Sequence, residues 1–116
     1  MKQLASLGLM IACAACAPPR PGPYDGKWIG QQYVGGSCAT VTAVFRVKDN
    51  NLWGSVNSMM ETNVIDNVWV GASGKTPFNT DNRPARWGVI SFSTTGFAMN
   101  FHSVCGDITI LGSRIN

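Results

Sequence analysis

Thr40-Val41-Thr42-Ala43-Val44-Phe45-Arg46-Val47-Lys48 is the clearest β-strand in the chain. Val41, Ala43, Phe45 and Val47 fall on one side of an extended backbone and Thr40, Thr42 and Arg46 on the other, with Val44 the one exception. A period of two held over this length describes a half-buried strand and cannot make a helical face. Asp49-Asn50-Asn51 follows, residues that accept the left-handed backbone of a tight turn. Leu52 to Asn57 then returns as the hairpin partner, with Leu52, Gly54 and Val56 inward.

The same reading extends in both directions. Upstream, Tyr24 to Val34 is a strand with Trp28, Gly30 and Gln32 on one face and Ile29, Gln31 and Tyr33 on the other. Gly35-Gly36-Ser37 breaks it before Cys38. Downstream, Ser58 to Thr62 makes a link that has room for one helical turn and reads equally as a loop. Asn63 to Ala72 alternates again, with Val64, Val68 and Val70 sharing a face and Asp66 a misfit among them. Ser73-Gly74-Lys75 turns the chain. Thr76 to Ala85, holding Pro77, Asn79, Asp81, Asn82 and Pro84, reads as a long loop.

Arg86 to Ser93 and Phe97 to Val104 form a further strand pair around Thr94-Thr95-Gly96. Phe97, Met99 and Phe101 face one way, and Ala98, Asn100 and His102 the other. Cys105-Gly106-Asp107 ends that pair, and Ile108 to Leu111 makes a short last strand. The expected class is therefore all-β: a seven- or eight-stranded antiparallel meander closing into a small barrel or sandwich. Closure removes exposed strand edges, which otherwise pair with neighbouring chains.

Composition narrows the function. With 13% charged residues and a net charge of +3, the basic residues are scattered apart from Arg83-Pro84-Ala85-Arg86. A nucleic-acid binder is expected to gather them into a stripe, so nucleic acid is excluded as a partner. The 116 residues make one domain after a leader.

That leader is residues 1–12. A short basic start precedes an uncharged apolar run from Leu4 to Ala12, far below the roughly 20 residues a spanning helix needs. Leu9-Met10-Ile11-Ala12-Cys13 resembles the lipobox of bacterial lipoproteins. The resemblance implies that Cys13 is acylated and becomes the first residue of the mature chain. Ala14 is not the Asp that retains such proteins at the inner membrane, which implies an outer-membrane, lipid-anchored lipoprotein carrying a palmitate-type chain in a Gram-negative host. Cys16 is the alternative acceptor: its use would remove Cys13 with the signal and leave Cys38 and Cys105 as an even pair. Cleavage as an ordinary secretory signal at Ala15-Cys16-Ala17 would put Pro18 just after the cut, a poor substrate geometry. Residues 13–23 carry four of the six prolines and read as a Pro-rich tether. Residues 24–116 are the barrel domain.

The body carries a second resemblance. Tyr24-Asp25-Gly26-Lys27-Trp28-Ile29-Gly30, Cys38, and Cys105-Gly106 before a last strand look like small calycin-like barrel lipoproteins of Gram-negative bacteria. Lipocalins, avidins and bacterial protease inhibitors share the Gly-x-Trp opening, and Trp28 would then lie at the barrel floor.

Candidate chemistry is sparse. Cys38 and Cys105 are expected to form a disulfide in an exported domain. No C-x-x-C and a single histidine argue against a metal, and no cofactor motif is present. His102 has Ser91, Ser93, Ser103 and Asp107 as possible companions, but no nucleophile-elbow pattern surrounds a serine, so the protein is expected not to be an enzyme. Of the four tryptophans at least two are expected in the core, and Trp53 outward. Trp53, with Phe78, Arg83 and Arg86 from the 76–86 loop, is the expected contact surface for an envelope protein or glycan. The expected function is a lipid-anchored binding or structural module; the alternative is an inhibitor of an exported hydrolase, a protease or lysozyme.

Overall fold

The computed structural model describes residues 22–115. The signal segment, Cys13, Cys16 and the tether as far as Pro21 lie outside the described residues. Eight strands follow one another: β1 (Gly26–Gly35), β2 (Thr42–Lys48), β3 (Asn51–Asn57), β4 (Thr62–Trp69), β5 (Lys75–Asn79), β6 (Trp87–Phe92), β7 (Gly96–Ser103) and β8 (Gly106–Arg114). They form one antiparallel sheet in the order β4-β3-β2-β1-β8-β7-β6-β5. The first strand pairs with the last, so the meander curls into a nearly closed barrel and its seam falls mid-chain, between β4 and β5.

The seam closes without a strand ladder. Val64 on β4 accepts from the Asp81 amide (2.9 Å), and the Asn82 side chain receives the Val64 N–H (3.1 Å) and donates to the Thr62 carbonyl (2.7 Å). Beside them Arg86 Nε lies 2.9 Å from Glu61 Oε2. The segment that reads as a long loop is thus divided: Lys75–Asn79 is a strand, and residues 80–86 fasten it to β4. Thr76, Phe78 and Thr80 point inward, two of the three polar, which hides the alternation. Pro77 is tolerated because β5 pairs only with β6.

Two further expectations change. On β4 the inward residues are Asn63 and Ile65, with Val64 exposed. A bulge at Asn67 (φ 52°), where the ladder to β3 slips between Leu52 and Gly54, restores Val68 and Val70 to the interior. Asp66, the misfit of the alternation, marks that bulge. The last strand is long, Gly106–Arg114, because it must pair with both β1 and β7.

The interior is filled by side chains. Trp28 is fully buried, its ring 4.9 Å from Phe92, while Phe45 and Phe97 lie 4.8 Å apart. The Trp28 Nε1–H donates to the Tyr24 carbonyl at 2.9 Å, and the Arg114 guanidinium sits 4.7 Å from the ring centroid. Gly30 and Gly112 face each other across β1 and β8; a methyl group on either would strike the Phe97 ring.

The two ends of the barrel differ. Gly22 to Asp25 enter at the near end, where the Asp25 carboxylate accepts the backbone N–H groups of Asp49 (2.8 Å) and Asn50 (3.3 Å) in the β2–β3 turn. The far end carries residues 36–41, the Ser58–Glu61 turn, residues 80–86 and the β7–β8 turn. Cys38 and Cys105 are joined there by a disulfide, Cα atoms 5.4 Å apart, which ties the β1–β2 connection to the β7–β8 turn.

Candidate functional site

Strand parity decides which side chains the outer wall presents. Because Phe97, Met99 and Phe101 of β7 point inward, Asn100 and His102 point outward. Register then brings Trp87, His102 and Asp107 into one row across β6, β7 and β8. The Trp87 and His102 rings stack at 4.4 Å between centroids, and His102 Nδ1 contacts Asp107 Oδ1. In the next outward row the Thr109 hydroxyl donates to Asn100 Oδ1 at 3.2 Å. A bulge on β1 between Gln32 and Val34 leaves both Tyr33 and Val34 exposed, and Val34 forms the far wall. These side chains bound a groove of about 410 Å³ on the far half of the barrel.

The groove offers a half-exposed indole (52%), an imidazole–carboxylate pair and a primary amide, all pointing outward. The serines considered with His102 are placed otherwise. Ser103 Oγ donates to the Gly106 carbonyl (2.8 Å) and accepts from the Cys105 amide (3.0 Å). Ser93 is bound to Gly96 in the near-end β6–β7 turn, and Ser91 pairs with Ala98, two outward rows from Trp87. None of these three serines is therefore aimed at the His102–Asp107 pair, and the row presents a flat apolar face flanked by donors and acceptors.

The contact surface read from the sequence does not assemble. Phe78 is buried at 5% exposure and stacks on Phe101 (6.0 Å), so it belongs to the core and not to a displayed loop. Arg86 is half-buried and held by Glu61. Arg83 is exposed at the tip of the 80–86 segment on the far end. Trp53 is exposed as expected, but it pairs with Arg46 toward the near end, away from Arg83. Only Trp28 of the four tryptophans is core; Trp53, Trp69 and Trp87 are exposed, fewer inside than expected.

The sequence offers Asp107 among the companions of His102 but leaves Trp87 out of the row. A signal existed: a two-residue turn at Val104-Cys105 pairs residue 102 with 107, which places His102 opposite Asp107. Assigning Trp87 to the same row needs the β6–β7 register as well. No protein-family model, curated protein or solved structure matches this chain.

Proposed function

We propose that the protein is an outer-membrane lipoprotein, acylated at Cys13 (or Cys16), whose barrel is a non-catalytic binding module for an envelope protein or glycan. The observation that carries this reading is the separation of the two ends. The chain enters the barrel at one end, and the Trp87–His102–Asp107 groove lies on the half facing away from it. The interior is packed with aromatic side chains, so a ligand is met on the outer wall. Around the same far end Met59 (78% exposed), Met60 and Arg83 add an apolar and cationic rim.

Intact mass of membrane-extracted protein identifies the acylated cysteine; an unmodified chain refutes the anchor. Capture of envelope components by the full-length protein tests the groove. Trp87→Ala with His102→Ala is expected to abolish specific capture, and unchanged recovery refutes the assignment.

One observation favours inhibition of an exported hydrolase as a second reading. Residues 80–86 are pinned at their base, where the Thr80 amide donates to the Arg86 carbonyl (2.8 Å) and Thr80 Oγ1 accepts the Arg86 amide (2.8 Å). Such a segment presents Arg83 on a rigid support, as insertion into an enzyme cleft requires. Protease and lysozyme panels decide it: no inhibition, or inhibition untouched by Arg83→Ala, removes this reading.

A further inference from the structure

The near end of the barrel carries a surface that the groove does not explain. On the outer wall of β1 to β4, register sets two rows: Lys48, Asn51 and Trp69 nearest the end, then Lys27, Arg46 and Trp53 above them. Trp69 is 64% exposed and Trp53 39%. Ile115, also exposed, bonds to the Lys27 carbonyl (2.8 Å) and borders a groove with Lys27, Arg46 and Trp53. Two exposed indoles set among cationic side chains on one wall make a mixed apolar and cationic patch of the kind that marks an interaction surface.

Charge divides along the barrel axis. Lys27, Arg46, Lys48, Lys75 and Arg114 lie in the near half against Asp25, Asp49 and Asp66, and Asp25 is occupied by backbone N–H groups. The far half holds Arg83 and Arg86 against Glu61, Asp81 and Asp107, with Arg86 already paired. The near end is thus the positive one. It is also the end at which the chain enters, since Gly22 accepts from the Asp25 amide through its carbonyl (3.2 Å) and Arg114 donates to the Pro23 carbonyl (2.7 Å). Eight residues separate Cys13 from Gly22. Even fully extended they span only about 30 Å, so an acylated Cys13 keeps this end close to the bilayer.

We infer that the near end docks on the anionic, phosphate-bearing headgroups of the bilayer that holds the anchor. Lys27, Arg46 and Lys48 meet the phosphates, and Trp53 and Trp69 settle into the headgroup layer. Indoles prefer that depth because their ring is apolar and their N–H is not, and cations near an anionic leaflet are attracted within a Debye length. The docked barrel holds its Trp87–His102 groove on the half remote from the membrane. This inference rests on the lipid-anchor reading.

The test uses full-length mature protein reconstituted into vesicles with brominated acyl chains, of phosphatidylcholine alone or mixed with phosphatidylglycerol. Flotation reads the anchor, and quenching of tryptophan fluorescence reads docking. Quenching is expected only with phosphatidylglycerol, is retained in Trp87→Phe and is lost in Trp53→Phe with Trp69→Phe. Lys27→Gln with Lys48→Gln should lower the docked-to-undocked ratio about 30-fold, at roughly fivefold for each charge. Protein that does not float overturns the anchor reading, and docking with it. Protein that floats but is not quenched, or is quenched equally in neutral vesicles, overturns docking alone.

Discussion

Replacing Asn82 with alanine should open the barrel at one place. Asn82 is the only side chain among the described residues that bonds both a donor and an acceptor of the β4 edge, at 3.1 Å from the Val64 amide and 2.7 Å from the Thr62 carbonyl. The edge is exposed, so the freed groups turn to water and no burial penalty adds to the loss. Two hydrogen bonds at a net ~1 kcal/mol each give a destabilisation of about 2 kcal/mol. In a domain of this size that lowers the melting temperature by roughly 10 °C. Loss of protection should be local: amide exchange at Val64 and Asp81 accelerates, while β1 and β8 keep global protection. Asn82→Asp should also destabilise, because its carboxylate still accepts from Val64 but opposes the Thr62 carbonyl. Melting within about 2 °C of the parent, with Val64 still protected, would show that packing and the Glu61–Arg86 pair close the seam without Asn82.

Reducing the disulfide tests the far end: Cys38→Ser with Cys105→Ser should cost about 4 kcal/mol for the 67-residue loop, read from the denaturant midpoint, and a loss below ~1 kcal/mol would refute a constraining role. Gly112→Ala puts a methyl group against the Phe97 ring and the Ile29 carbonyl, neither of which can retreat, so about 1–3 kcal/mol should be lost by thermal unfolding. Gly71→Ala meets nothing within 4 Å and should leave the melting temperature unchanged; equal losses in the two variants would refute the steric account.

The strands with unbroken alternation were legible in the sequence. In β2 and the residue before it the inward set Val41, Ala43, Phe45 and Val47 is all buried, and in β7 so are Phe97, Met99 and Phe101. In those strands every inward position is apolar, and the local period suffices. Legibility fails where the interior accepts polar residues or the period resets. Asn63, Thr76 and Thr80 are buried next to the seam, and the Asn63 amide spends its N–H on the Val56 carbonyl (3.3 Å). Phe78 reads as a displayed loop residue because Pro77, Asn79, Asp81, Asn82 and Pro84 surround it, while the buried Thr76 and Thr80 mask the alternation. The bulge at Asn67 flips the face of β4 in mid-strand, and the misfit at Asp66 is the one local sign of it that alternation carries.

The sequence alone determined the all-β class and the antiparallel hairpins, because alternation and turn residues act over short stretches, and it pointed to the Cys38–Cys105 pairing, because these are the two cysteines of the barrel body. The closing of β1 on β8, the seam at β4 and β5, and the rows that gather Trp87 with His102 and Asp107, or Lys27 with Arg46 and Trp53, were decided only in three dimensions. They depend on register between strands up to the length of the chain apart, and a shift of one residue turns every side chain of a strand to the opposite wall.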